Sequence, residues 1–335
     1  MLPPQPMGSL STSRLVACAL VAAARGRPTV ADVAARGRRD GRPLVAVLLG
    51  GPLAHRGFAP RPEELDRAIL APLAASSGVA IFVAADRPGA EADWRGALGA
   101  VRPDVAVVAE FVDGGRSGWR TPPEFQWGHI ALAQGLMRRH EGAGAAFAYV
   151  VRTRIDLSYH NDLDAAALLA VPDGTVATCS KQFQSWLPSR TLEVADAGNT
   201  VRLAKWPSVP DQFLAGPRAS MDALLAAAGF YGDAAALDAV RRTYGPLRPR
   251  GGALSTEELL GGFLFAANLS VVVVELQLGR FASSKEAAAA RWLAPPCAAC
   301  FDADRGGPRA PRAAGNRPVE WVTPRRVESN PPPRR

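Results

Sequence analysis

Lysine occurs only three times in this chain of 335 residues, so nearly all of its positive charge is arginine. With Ala, Gly and Pro abundant as well, the composition reads as a coding bias, and a single Ala or Arg carries little weight. Cysteine is scarce too: Cys18, Cys179 and the pair Cys297-Ala-Ala-Cys300. A lone C-x-x-C lacks the four ligands of a structural zinc site. It also lacks the βαβ context of a redox motif. The pair reads as two inert thiols, with a local disulfide as the alternative. No apolar run approaches the roughly 20 residues a membrane-spanning helix needs. No G-K-[ST] follows a glycine-rich loop, and G-x-G-x-x-G is missing, which excludes a P-loop and the dinucleotide fingerprint. No G-x-S-x-G offers a serine nucleophile. The four histidines, His55, His129, His140 and His160, have no metal-ligand spacing such as H-E-x-x-H.

The net charge is +8, and it sits at the ends. Residues 1–43 carry seven Arg against two Asp, and residues 303–335 carry eight Arg against three acidic residues. The 259 residues between are therefore slightly acidic, at −2. A nucleic-acid-binding domain carries its basic surface on the folded body, so nucleic acid is not an expected partner. Weak contact of the basic tails with a membrane surface is compatible with this charge.

At 48% hydrophobic, the chain can bury a sizeable core. Residues 1–43 read as a leader and linker. Arg14 precedes an apolar run at 15–24 that fits a signal-peptide core. An Ala-rich helix or a disordered lead-in fits equally. If residues 12–24 act as a signal, the secretory pathway or Golgi lumen is favoured; otherwise the cytoplasm. Residues 25–42 read as an Arg/Gly/Ala linker. Residues 303–335 are Arg- and Pro-rich and are expected to be disordered.

Between them, 44–302 reads as one α/β domain without internal repeats. Strands are expected at 44–51, 78–85, 103–110 and 147–155, with helices at 62–75, 91–100 and 123–140 between them. That alternation implies a mostly parallel, Rossmann-like sheet flanked by helices. A helix from Asp162 with Asn161 as N-cap, a short strand at 175–178, and an irregular segment at 180–210 follow. A strand at 210–216 leads to a helix with Pro217 in its first position. Ser255 and Glu258 spell a capping box. A last strand lies at 270–275. Asp162-x-Asp164 reads as dipole complementation on a helix's first turn, rather than as a metal site.

The stretch Tyr149-Val-Val-Arg152-Thr-Arg154-Ile-Asp156 organises the rest. Alternate residues of a strand share a face. Arg152, Arg154 and Asp156 would then point together at the C-terminal end of a strand, where open α/β sheets bind ligands. A salt-bridged strand end is the plain alternative. Gly50 and Gly51 end the first strand and would let a ligand approach the backbone. Arg56 in the following loop is a candidate phosphate contact.

Four stretches together resemble a known group. They are Val45 to Phe58, the Arg152-x-Arg154-x-Asp156 strand, Asp211-Gln-Phe-Leu-Ala-Gly-Pro-Arg-Ala-Ser-Met-Asp222, and Thr256-Glu-Glu-Leu-Leu260. In these places the chain is similar to glycosyltransferase-like proteins of algae, plants and bacteria, including the WavE-type lipopolysaccharide synthesis proteins. The resemblance implies a GT-A type nucleotide-diphospho-sugar transferase fold. Ile155 stands where that group usually has Pro. A true D-x-D after the central strand is missing, since Arg154 precedes Asp156 by two.

The implied function is transfer of a sugar from a nucleotide-diphospho-sugar donor to a glycan or other hydroxyl acceptor. Such chemistry needs the departing diphosphate neutralised by a metal or by cations, and a carboxylate base in an inverting enzyme. Arg56, Arg152 and Arg154 are fork-shaped donors suited to phosphate. Asp156 would hold Mn²⁺ or Mg²⁺, or a sugar hydroxyl. Asp211 would be the base or a second ligand, with Glu257 as a further candidate. The alternative is a catalytically inactive carbohydrate- or nucleotide-binding protein of the same fold.

Overall fold

In this computed structural model the described residues are 27–50, 60–87, 90–113, 122–141, 145–155, 157–159, 161–181, 192–196, 199–203, 209–244, 254–279 and 319–320. The first half runs α1 (Val30–Arg39), β1 (Leu44–Gly50), α2 (Pro62–Leu65), a π-helical turn (Asp66–Leu70), α3 (Ala71–Ser76), β2 (Gly78–Arg87), α4 (Ala90–Gly99), β3 (Ala106–Asp113), α5 (Pro122–Glu141) and β4 (Tyr149–Thr153). Then come β5 (Ser158–Tyr159), α6 (Ala165–Leu169), β6 (Thr175–Lys181), β7 (Leu192–Asp196), β8 (Asn199–Leu203) and β9 (Leu214–Pro217). Helices α7 (Arg218–Leu225), α8 (Ala227–Gly232), α9 (Ala234–Tyr244) and α10 (Thr256–Ala266) precede β10 (Ser270–Gly279) and β11 (Val319–Glu320).

The fold is α/β. One mixed sheet has the order β11-β10-β6-β9-β4-β1-β2-β3, and β5 pairs with β10. Strands β3, β2, β1 and β4 are mutually parallel, as are β6 and β10. Strand β9 is antiparallel to both β4 and β6 and lies between them. The strands are apolar along their length because both faces of the sheet are covered. On one face, Ala46, Leu48, Phe82, Val150 and Leu214 pack under α5 and α7 to α10. On the other, Val45, Val47, Leu49, Ile81 and Val151 pack against α2, α3, α4 and α6.

Local chemistry explains the irregularities. Pro72 cannot donate to Ala68 four residues back, and the helix widens into its π turn just before it. The Ala68 carbonyl accepts instead from the Leu163 N–H at 2.8 Å. On β9, Gly216 is required by close approach. A Cβ there would lie 2.8 Å from the Thr175 carbonyl oxygen.

Several expectations change. Residues 30–39 are a helix, not a linker. Thr29 and Asp32 form a capping box, and Val30, Val33 and Ala34 are buried in the core. Asp164, not Asn161, is the N-cap of α6, through a bond from the Ala167 N–H. Asp162 instead pairs with Arg67. The 180–210 segment is not wholly irregular: β6 extends to Lys181, and β7 and β8 form an antiparallel hairpin. Pro217 precedes α7 as its N-cap, rather than occupying its first turn. Val319 and Glu320 pair with β10, so this part of the tail is ordered. The rest of residues 303–335, residues 1–26, and Cys18, Cys297 and Cys300 lie outside the described residues. Cys179 is free and buried.

No single helix among the described residues is long and apolar enough to cross a membrane.

Candidate functional site

The reversed strand β9 builds the site. Parallel strands β1 and β4 send their C-terminal ends to one rim of the sheet. Because β9 is antiparallel, its N-terminal end meets that same rim, and Arg152 is in register with Leu214. Asp211, Gln212 and Phe213, which lead into β9, therefore arrive beside the end of β4. Their turn is pinned to β6 by Thr178, whose hydroxyl lies 3.2 Å from the carbonyls of both Pro210 and Phe213. Two motifs about 60 residues apart in sequence thus converge.

Arg152 is 1% exposed. Its register neighbours Leu48 and Leu214 belong to the core under α5, so its side chain leaves the sheet on that face. There its guanidinium lies over the Trp127 ring, 5.5 Å from the centroid. Such a cation–π contact is worth about 1–2 kcal/mol when desolvated. Trp127 in turn stacks on Tyr231 of α8, with centroids 5.9 Å apart and planes 23° apart. Trp127 is fully buried.

Asp211 is buried, and its Oδ2 accepts from Gln126 Nε2 of α5 at 2.8 Å. Tyr231 reports how the charges gather. Burial above all, then the Asp211 and Glu257 carboxylates, push its phenol well above the usual tyrosine range, while Arg152 acts in the opposite sense. Its hydroxyl donates to the Thr256 carbonyl at 2.9 Å. Glu257 is half-buried in the first turn of α10, and its backbone oxygen accepts from Val209 N–H at 3.0 Å, tying α10 to the approach to β9. Glu258 is the helix cap: its Oε2 accepts from the Ser255 N–H at 2.6 Å, and its own N–H donates to Ser255 Oγ. Trp127 Nε1 and Gln212 Oε1 are buried with no hydrogen bond among the described residues. Leaving such groups unsatisfied costs about 1–3 kcal/mol each.

The structure thus brings Arg152, Asp211 and Glu257 into one neighbourhood. Arg154 is half-buried, and beyond Thr153 the strand does not continue. The Arg154 carbonyl accepts from the Tyr159 hydroxyl, and the Ile155 carbonyl from the Arg61 N–H. The shared face expected for Arg152 and Arg154 is therefore lost to a turn at the strand end. Glu64 of α2 holds the returning chain, with Oε2 accepting from Ser158 Oγ and the Tyr159 N–H, each at 2.9 Å. Gly50 is accounted for by packing: a Cβ there would lie 3.0 Å from His129 Cβ and Ile130 Cδ1 of α5. Gly51, Arg56 and Asp156 lie outside the described residues, as do His55 and His160. No group of three or more His, Cys, Asp or Glu able to hold a metal occurs among the described residues.

Gln126, Gln212 and Tyr231 were missed by sequence reasoning. The only signal for Gln126 was its position in the first turns of a helix that starts at the strand-end rim. Arg152 in a strand opposite a candidate carboxylate gave no hint that Trp127 would cover it.

The arrangement can hold a cation and two carboxylates at the rim where open α/β sheets bind ligands. No protein-family profile matches the chain, and no curated protein matches it.

Proposed function

We propose that the chain is a GT-A-like glycosyltransferase that moves a sugar from a nucleotide-diphospho-sugar to a hydroxyl acceptor. The observation that carries this reading is the meeting of Arg152 and Asp211 at one sheet rim through the inverted strand β9. An antiparallel strand set between the parallel strands of a mixed sheet is compatible with the GT-A arrangement. Asp211, anchored through one oxygen by Gln126, is suited to accept the proton of an acceptor hydroxyl. Arg154, at the turn that ends β4, is the arginine better exposed to a diphosphate. Arg152, sealed under Trp127, sets the local positive potential from below. Glu257 supplies a second carboxylate for a sugar hydroxyl. Metal chemistry would have to draw on Asp156, the acidic residue next to Ile155 in sequence.

The test is thermal-shift binding of nucleoside diphosphates and nucleotide sugars to the full chain, with and without Mn²⁺. A ligand bound by the folded state alone raises apparent stability. The expected result is a nucleotide-dependent shift that disappears in Arg154→Ala, with Asp211→Asn retaining the shift but losing sugar transfer. Binding without turnover under any metal would instead favour an inactive carbohydrate- or nucleotide-binding protein. No shift with any nucleotide or nucleotide sugar would overturn the transferase reading.

A further inference from the structure

One polar side chain at the strand-end rim has no role in the fold. Gln212 is 4% exposed, and its Oε1 is buried with no hydrogen-bond partner among the described residues. Its neighbours on either side are committed. Asp211 accepts from Gln126 of α5 at 2.8 Å, and Phe213 is fully buried in the core on the other face of the sheet from α5. The backbone of the turn is fixed as well, since the Thr178 hydroxyl lies 3.2 Å from the carbonyls of both Pro210 and Phe213. The turn therefore holds Gln212 in place through its neighbours and leaves its amide oxygen unused.

Such an atom is a liability in the ligand-free protein. Buried side-chain acceptors are paired in the large majority of cases, and one that is not lowers stability until something supplies the bond. With no bond to its oxygen, turning the Gln212 amide toward the rim sacrifices nothing and gains an interaction. Its chemistry restricts the partner. Oε1 only accepts, so it needs a group that brings a proton, and Nε2 only donates. A hydroxyl serves either end of the carboxamide, and two neighbouring hydroxyls serve both. An ionised phosphate serves only the nitrogen. The local charge points the same way. Asp211 precedes Gln212, and Glu257 is tied to the same segment through the Val209 N–H. Beyond burial itself, both carboxylates push the Tyr231 phenol upward, while Arg152 acts in the opposite sense. Two carboxylates repel a phosphate from this end of the rim and tolerate a neutral hydroxyl.

We propose that Gln212 is a sugar-recognition residue, whose carboxamide hydrogen-bonds a hydroxyl of the sugar that enters beside Asp211. The inference rests on the reading of the rim as a nucleotide-sugar site. It adds that nucleotide and sugar are read by different residues, the diphosphate by Arg154 at the end of β4 and the hydroxyl by Gln212 at the start of β9. A site built to bond a hydroxyl rejects ligands that lack it, because the protein group is then left unpaired. Gln212 thus contributes selectivity for the sugar and not grip on the nucleotide.

The experiment compares the full chain with its Gln212→Met variant, an unbranched apolar replacement of similar length. Tm is measured without ligand, then in titrations with UDP, UDP-glucose, GDP and GDP-mannose, and with methyl glucoside or methyl mannoside added beside the diphosphate. Two effects of opposite direction are expected. Without ligand the variant melts at the same temperature or about 2–4 °C higher, since an unpaired buried group has been removed. With ligand it keeps the shift produced by the nucleoside diphosphate and loses roughly tenfold in affinity for a sugar-bearing probe. A loss confined to the nucleotide sugar places the contact on the donor, and a loss confined to the methyl glycoside places it on the acceptor. A variant that melts lower or does not fold would overturn the proposal, because the amide would then be structural. So would an affinity unchanged for every sugar-bearing probe, or a wild-type shift to which the sugar adds nothing. If no nucleotide or nucleotide sugar shifts the wild type, the transferase reading itself fails and takes the proposal with it.

Discussion

Gly216→Ala is the sharpest test of the sheet order, because two effects of opposite sign compete at that position. In a site that tolerates it, Gly→Ala stabilises by about 0.4–1 kcal/mol through the unfolded chain. Here the new Cβ would meet the Thr175 carbonyl oxygen at 2.8 Å, and that oxygen is backbone, not a side chain that can swing away. Ordinary contact requires about 3.4 Å or more, so β6 and β9 must separate by roughly half an ångström, and overpacking of this kind costs about 1–3 kcal/mol. The clash exists only because β9 is inserted beside β6. The net expectation is destabilisation by about 1–2 kcal/mol, or a fall of about 2–8 °C in Tm for a domain of this size. Urea unfolding should show a lower midpoint with unchanged slope. Gly229→Ala is the control. Gly229 is exposed on α8, and a Cβ added there would have nothing within 4 Å. Its substitution should stabilise by about 0.5–1 kcal/mol. If Gly216→Ala matches or exceeds Gly229→Ala in stability, the β6-β9 pairing is wrong.

Three further outcomes are expected. Glu64 has its carboxyl held below the ordinary value near 4.5: burial pushes it up, but Arg61, the Tyr159 N–H and the Ser158 hydroxyl together outweigh that. A depressed carboxyl stabilises fully above its unfolded pKa and ceases to do so as pH falls through its folded pKa. Glu64→Gln should therefore cost about 1 kcal/mol at pH 7 after solvent screening, and chemical denaturation should show the gap closing below pH 4.5. Thr29→Ala removes the cap of α1 and should cost about 1 kcal/mol in the same assay; no effect would detach α1 from the folding unit. For Gln126→Ala and Asp211→Ala, a double-mutant cycle should give a coupling of about 1–3 kcal/mol, and additivity would deny the hydrogen bond.

Much of the frame was legible because its signals are local. The uniform apolar runs of β1 and β2, short and rich in Val, Leu and Ile, read as buried strands in a helix-covered sheet. Ser255 and Glu258 announced the start of α10 three residues apart, and their bonds form as spelled. Helix α1 was legible in the same way, through Thr29 and Asp32, but an Arg-rich composition concealed it. The meeting of Arg152 with Trp127 was not legible, because it depends on which face of β4 turns toward α5. The end of β4 at Thr153 was hidden for a similar reason. The turn there is stabilised by Tyr159, Arg61 and Glu64, none of which belongs to the strand. Strand β9 was visible as an apolar segment, while its reversed direction shows only in its pairing with β4 and β6.

That reversal has a consequence for how the molecule can change. The chain leaves the sheet at the end of β6 and returns at the start of β9, both on the rim that carries Asp211. Residues 182–213 are thus a detour that begins and ends at neighbouring points. Doubling such a detour raises its closure cost by only about 0.6 kcal/mol. Its length could therefore change while the central strands and their two cores keep their sequence. Between the ends of β6 and β9, chain length is therefore a nearly free variable of this fold, whereas the central strands are not.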